Sequence, residues 1–194
     1  MTRSTSHGNK KRSERDLLTF TAVWPGSRFP RAGCFISTLH ERFTALGLSE
    51  EIIAPFLGAG CESDVTRFPN PLGRLKLSTP SMAGGVLYLA SAFVATTALL
   101  RRIRPRAVLL HWVLPLGPVA LAACRKERVP LIVWTHGSDL EVYAARGKLY
   151  SMIAARVLRG SAKVFAVSDS LKAKAIALGA QSVTDSTAQK DTSA

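Results

Sequence analysis

Acidic residues are scarce in this chain. Thirteen Asp and Glu stand against 26 Lys and Arg, a formal net charge of +13. That imbalance favours an anionic partner: nucleic acid, an acidic membrane surface or a phosphorylated small molecule. Cysteine is scarce too. Cys34, Cys61 and Cys124 make an odd set with no CxxC and no metal-type spacing. A disulfide framework and a thiolate metal site are therefore not expected, and the three are read as free buried thiols in a reducing compartment. Aromatics are only 7% of the residues and no recognition motif accompanies the basic ones, which are spread out, so nucleic-acid binding is not expected. No lysine completes a P-loop, and no GxGxxG is present; Gly58-Ala59-Gly60 has neither a third glycine nor a helix after it. No internal repeat is visible.

What is present is apolar sequence, 47% of the chain, and enough length for one domain with its own core. The centre of the chain is Pro105–Asp139. Ala107–Leu110 is a short apolar run ending in His111 and Trp112. Leu116–Arg128 has helical spacing and is stopped by Pro130, which cannot continue a helix. Leu131–Thr135 is a second apolar run, bounded by His136-Gly137-Ser138-Asp139. Continuous apolar runs joined by a crossover helix predict a buried parallel pair. In open α/β sheets the ligand lies beyond the carboxyl ends of such strands, where both histidines fall. Read for itself, His111 is more often structural, and Asp139 and Ser168 are caps as readily as ligands.

Around this unit the pattern continues. Residues 1–16 are polar and basic and are read as a disordered tail. The run Leu17–Trp24 is short and lacks a small-x-small cleavage site, so Leu17–Val23 is read as a first strand rather than a signal sequence. A glycine-containing loop, Trp24–Gly33, leads to a helix over Cys34–Leu46 with Phe35, Leu39, Phe43 and Leu46 on its apolar face. The amides at its start, near Gly33, suit a phosphate or diphosphate, or serve an ordinary turn. Glu51–Ala54 is a second strand, Val65–Phe68 a third, and Phe56–Leu77 is otherwise loop. Ser78–Leu100 has no charge and is followed by Arg101, Arg102, Arg104 and Arg106. It is long enough to span a bilayer, but its Gly, Ser and Thr content and the spacing of Val86, Leu89, Phe93, Leu100 and Ile103 favour a buried helix. A helix lying on a membrane is the second reading. Leu149–Leu158 is helical with Gly160 as its cap, Lys163–Val167 is a strand, and Ser170–Leu178 is a helix capped by Ser168 or Asp169. Residues 181–194 are read as a polar tail. The expected fold is α/β: one Rossmann-like, doubly wound, mostly parallel sheet over residues 17–180.

Four segments carry a resemblance. WPGSRFPRAGCFISTLHERFTALG, HWVLPLGPVALA, VPLIVWTHGSD and AKVFAVSDSLKAKAIALGA, in this order and separation, resemble the N-terminal half of family-4-like glycosyltransferases of the GT-B fold. The resemblance implies sugar transfer from a nucleotide-sugar donor to a sugar or lipid-linked acceptor, usually with retention, between two Rossmann-like domains. It implies that His136 faces the reacting sugar as the catalytic residue and that Gly33 lies against the donor diphosphate. His111, Trp112, Gly137, Asp139 and Ser168 would line the acceptor side of the cleft. No metal or other cofactor is implied. The expected setting is cytoplasmic, with peripheral contact at an anionic membrane.

The chain departs from the family at Arg106, where an acidic residue is common, at Leu109, where a second histidine is common, and at Ala32, where a paired glycine is common. It also stops where the family continues into a nucleotide-binding domain. The expectation is an acceptor-side half, inactive alone. The alternative is a non-catalytic module that docks on an anionic membrane or a partner protein.

Overall fold

The computed structural model describes residues 15–21, 24–25, 31, 33–53, 65–66, 82–143 and 146–185. The basic tail at 1–14, most of the loops at 26–32 and 54–81, and the last residues from 186 on lie outside the described residues, as does Cys61.

Among the described residues, seven parallel strands form one sheet in the order β3-β2-β1-β4-β5-β6-β7. They are β1 (Leu17–Phe20), β2 (Glu50–Ile53), β3 (Val65–Thr66), β4 (Ala107–His111), β5 (Leu131–Thr135), β6 (Lys163–Ala166) and β7 (Val183–Asp185). The helices are α1 (Cys34–Ala45), α2 (Met82–Ile103), α3 (Gly117–Glu127), α4 (Lys148–Gly160) and α5 (Asp169–Ala177), with a π-helical turn at Asp139–Tyr143. Chain order reverses at β1, which pairs with β2 on one side and β4 on the other. This is the doubly wound, Rossmann-like α/β arrangement, with its switch point between β1 and β4.

The two faces of the sheet differ. Strand alternation sends Leu18, Phe20, Val108, Leu110, Leu131, Val133, Val164 and Ala166 to one core, where they meet Leu100 and Ile103 of α2, Ala120 and Cys124 of α3, Val157 and Leu158 of α4, and Leu171 of α5. Each large side chain buried there contributes about 1.5–3 kcal/mol. Gly117 is needed for this packing: a Cβ on it would stand 3.0 Å from a Val157 methyl. The alternate residues Thr19, Ile52, Leu109 and Ile132, neighbours in the ladder, point to the opposite face.

Several expectations are corrected. The apolar stripe expected on α1 is not its core face: Ile36 is the buried residue, while Phe35 and Leu46 are 46% and 76% exposed. Of the two described cysteines, Cys34 is exposed and Cys124 matches the buried-thiol reading, its pKa pushed up to about 12 by burial. The uncharged segment forms α2 from Met82, and no helix among the described residues is long and apolar enough to cross a membrane. In α2, Leu89 is exposed and Phe93 only half-buried, while Leu99, Leu100 and Ile103 are buried. Gly160 is the last residue of α4 rather than its cap. The polar tail expected from Gln181 begins instead with β7, whose Val183 pairs with Val164. Three residues sufficed there because an edge strand needs only one partner and little apolar surface.

Candidate functional site

The site grows from the carboxyl ends of β4 and β5. His111 is the last residue of β4 and sits beside Trp134 in the parallel ladder. Alternation puts His111, Trp134 and Phe165 in one row on the α1 side, and His136, two residues beyond Trp134, follows the same side. The imidazoles of His111 and His136 stack with centroids 5.1 Å apart and planes inclined by 19°. His111 Nδ1 lies 2.8 Å from His136 Nε2. One nitrogen must therefore carry the proton and donate to the lone pair of the other. A proton on both facing nitrogens would set two donors against each other with no acceptor between them.

Burial agrees with a neutral pair. It lowers the pKa of His111 from 6.5 to about 3, helped by the charge of His136, and that of His136 to about 4. Burying a cation without a counter-charge is costly, so both rings stay neutral at physiological pH.

Aromatic rings surround the pair. Trp134 stacks on His111 at 5.8 Å, Phe35 of α1 lies 4.7 Å from His136, and Trp112 lies 4.8 Å from it on another side. Trp112 reaches that position from a left-handed backbone, φ 66°. A bulky side chain rarely adopts this conformation, which costs about 1–2 kcal/mol. The strain turns the indole over the rim instead of continuing the strand.

Asp139 holds the two loops together from below. It is fully buried and accepts from the backbone N–H groups of Val113 (2.9 Å), Gly137 (3.1 Å) and Leu140 (3.1 Å). Val113 belongs to the loop after β4, and Gly137 and Leu140 to the loop after β5, so this carboxylate sets the spacing of the histidines. Burial raises its pKa, and the backbone donors work against that rise. Gly137 supplies the turn, at φ 109°, that lets its amide face the carboxylate.

Above the pair opens a cleft of about 500 Å³ lined by Phe35, Thr38, Leu39, Arg42, His111, Trp134, His136 and Val167. His111 Nε2 and Trp134 Nε1 are buried with no hydrogen-bond partner among the described residues.

The structure thus gathers His111, Trp112 and His136 at one rim, with Gly137 and Asp139 supporting them. Gly33 ends the turn before α1 at φ 70°, and its carbonyl accepts from the Ile36 amide. Ser168 is a cap: its Oγ accepts from the Leu171 amide at 3.3 Å, and its neighbour Val167 is the residue that lines the cleft. Trp134, Phe35, Thr38, Leu39 and Arg42 were not among the expected site residues. The α1 residues fall at i, i+3, i+4 and i+7, one helix face carrying a hydroxyl and a guanidinium, a pattern too polar for a core stripe.

Residues 36–184 match the glycosyl transferase 4-like domain. The chain belongs to that family. Among solved structures, the fold is shared with UDP-N-acetylglucosamine 2-epimerase from Rickettsia bellii, at TM-score 0.59 and 9% identity over 87% of this chain and 43% of that one. It is shared likewise with sucrose-phosphate synthase from Thermosynechococcus elongatus, at TM-score 0.58 and 11% identity over 88% of this chain and 47% of that one. The chain therefore spans less than half the length of either. No protein of curated function matches it. In this glycosyl transferase 4-like domain the switch point, the histidine rim and the cleft fall at the same end of the sheet.

Proposed function

We propose that this domain forms the acceptor side of a glycosyl transfer, with the nucleotide-sugar donor held by a second domain or a second chain. The observation that carries the reading is the neutral, stacked His111–His136 pair opening into an aromatic-walled cleft at the carboxyl ends of β4 and β5. A sugar presents flat C–H faces to rings and hydroxyls to lone pairs, and this cleft offers both. His136 has its Nε2 engaged by His111 and keeps its Nδ1 for the acceptor hydroxyl or the reacting sugar, and the His111 contact fixes whether that Nδ1 donates or accepts. We take the transfer to be retaining, as the family resemblance implies; among the described residues that line the cleft none is a carboxylate, and Asp139 below it is occupied by three backbone amides. The departing diphosphate needs positive potential, which Arg42 on the cleft wall and the amino end of α1 behind Gly33 would offer.

Two measurements test this. Saccharide acceptors, free and lipid-linked, should shift the imidazole resonances of His111 and His136 in the isolated chain, whereas nucleoside diphosphates should bind it weakly. The isolated chain should show no transfer from a nucleotide sugar without a donor-binding partner. Tight nucleotide binding with no saccharide response, or turnover by the chain alone, would overturn the assignment.

A further inference from the structure

Helix α1 supplies half of the residues that line the cleft, Phe35, Thr38, Leu39 and Arg42, yet it is thinly anchored. Of its residues Ile36 alone is buried, whereas α3 buries Val119, Leu121 and Cys124, and α4 buries Ala154, Val157 and Leu158. Beside the cleft-lining stripe runs a second one, Ile36, His40 and Phe43, at i, i+4 and i+7. This inner stripe is buried at Ile36 and half-buried at His40 and Phe43, so it faces the sheet. Its one polar member meets a carboxylate there.

That carboxylate is Glu50, the first residue of β2, whose side chain is 2% exposed. One of its oxygens accepts from the Thr19 hydroxyl of β1, and the other lies 2.5 Å from His40 Nδ1. A carboxylate only accepts, so Nδ1 carries the proton of that contact. The His40 ring also meets Trp24, four residues beyond β1, edge-on with centroids 6.0 Å apart. Two strands, a helix and a loop thus converge on two polar side chains that lie outside the cleft.

We propose that His40 and Glu50 are positioning residues: their hydrogen bond fixes how far α1 stands from the sheet, and so the width of the cleft. Apolar side chains in their places would hold the helix by burial, which is non-directional and tolerates sliding. A hydrogen bond holds at one distance and in one direction. It also resists any lift of the helix, because a carboxylate this buried would be left short of a donor unless water entered. Phe35 rides on the same helix, with its ring 4.7 Å from His136. A lift of α1 at His40 therefore draws that ring off the histidine pair. That the cleft so shaped takes a sugar rests on the glycosyl-transfer reading, whereas the spacing of α1 does not.

NMR of the chain with no ligand added tests the spacing. In the native chain the ring protons of Phe35 and His136 should show a nuclear Overhauser contact, and the α1 amides should resist hydrogen exchange. His40→Phe keeps a ring beside Trp24 and removes the donor. It should lose most of the Phe35–His136 contact and speed exchange of the α1 amides about tenfold. Glu50→Gln should keep both, because its amide oxygen accepts from Thr19 while its N–H donates to His40 in the other tautomer. Leu110→Val, on the opposite face, should lower the thermal midpoint and leave both readouts as they were, which separates positioning from stability. Should His40→Phe fail to fold, the native chain still decides: the His40 proton should sit on Nδ1, and a neutral ring protonated on Nε2 alone would overturn the inference. So would a His40→Phe chain that keeps its contact and its protection, their loss in Glu50→Gln, or equal losses in Leu110→Val. A histidine pair that responds to no saccharide, free or lipid-linked, would instead overturn the glycosyl-transfer reading and leave the spacing result standing.

Discussion

The two faces of this sheet come from the same strands and obey different rules. On the face covered by α2, α3, α4 and α5, Leu18, Val108, Leu110, Val133 and Ala166 are sealed from water. On the face toward α1, the same strands supply His111 and Trp134 beside Phe165, and α1 leaves room for a cleft. One face spends its side chains on packing. The other retains partly exposed aromatic rings, a histidine pair and polar atoms without partners among the described residues. Stability should therefore respond to changes on the first face, and binding, chemistry and pH response to changes on the second.

The largest expected effect is on chemistry. In the proposed assembly with a donor-binding domain, His136→Ala should lower transfer by about a thousandfold, within the range for removal of a positioned proton-handling group. The same variant in the isolated chain should keep its thermal midpoint within a few degrees, which separates site from scaffold. The next effect is acid sensitivity. Both histidines have folded pKa values, about 3 and about 4, below the ordinary 6.5. The unfolded chain therefore binds protons first as the medium acidifies. Their contribution is complete above pH 6.5 and is lost as pH falls from there toward 4 and then 3. Between about pH 7.5 and about pH 5 the two should remove up to about 4 kcal/mol, read from urea midpoints, and His111→Gln should remove about half of that dependence.

A smaller loss is expected from the packed face. Leu110→Ala should destabilise by about 3 kcal/mol by urea denaturation. Phe35→Ala on the open side should cost under about 1 kcal/mol, because its ring is already 46% exposed, and should show itself in weakened saccharide binding. The smallest effect is local: Ser168→Ala should cost about 1 kcal/mol by removing the cap of α5, with no change in acceptor affinity. A large affinity loss at Ser168 would return that residue to the cleft and blur the contrast between the faces.

Most of the closed face was legible from the chain, because continuous runs such as Leu131–Thr135 and the stop at Pro130 follow directly from backbone chemistry. The strand-end positions of His111 and His136 were legible for the same reason. Their stacking was not: it depends on the β4–β5 register and on Asp139 holding two loops together, and neither has a signature in local pattern. Asp139 looked like a cap or a ligand because a buried aspartate and an exposed one are spelled alike. Phe35 and Leu39 were assigned to the core because apolar periodicity cannot distinguish a packed face from the wall of a cleft. The strand at Val183–Asp185 was missed because an edge strand can be polar and short.

At the rim, two neutral imidazoles share one proton-donor contact. Nitrogen-detected NMR of the histidine side chains between pH 7.5 and pH 4 tests it most directly. The prediction is that neither His111 nor His136 gains a proton above about pH 5, and that each ring holds one tautomer throughout that range. Titration of both rings near 6.5, with tautomers averaging freely, would contradict it.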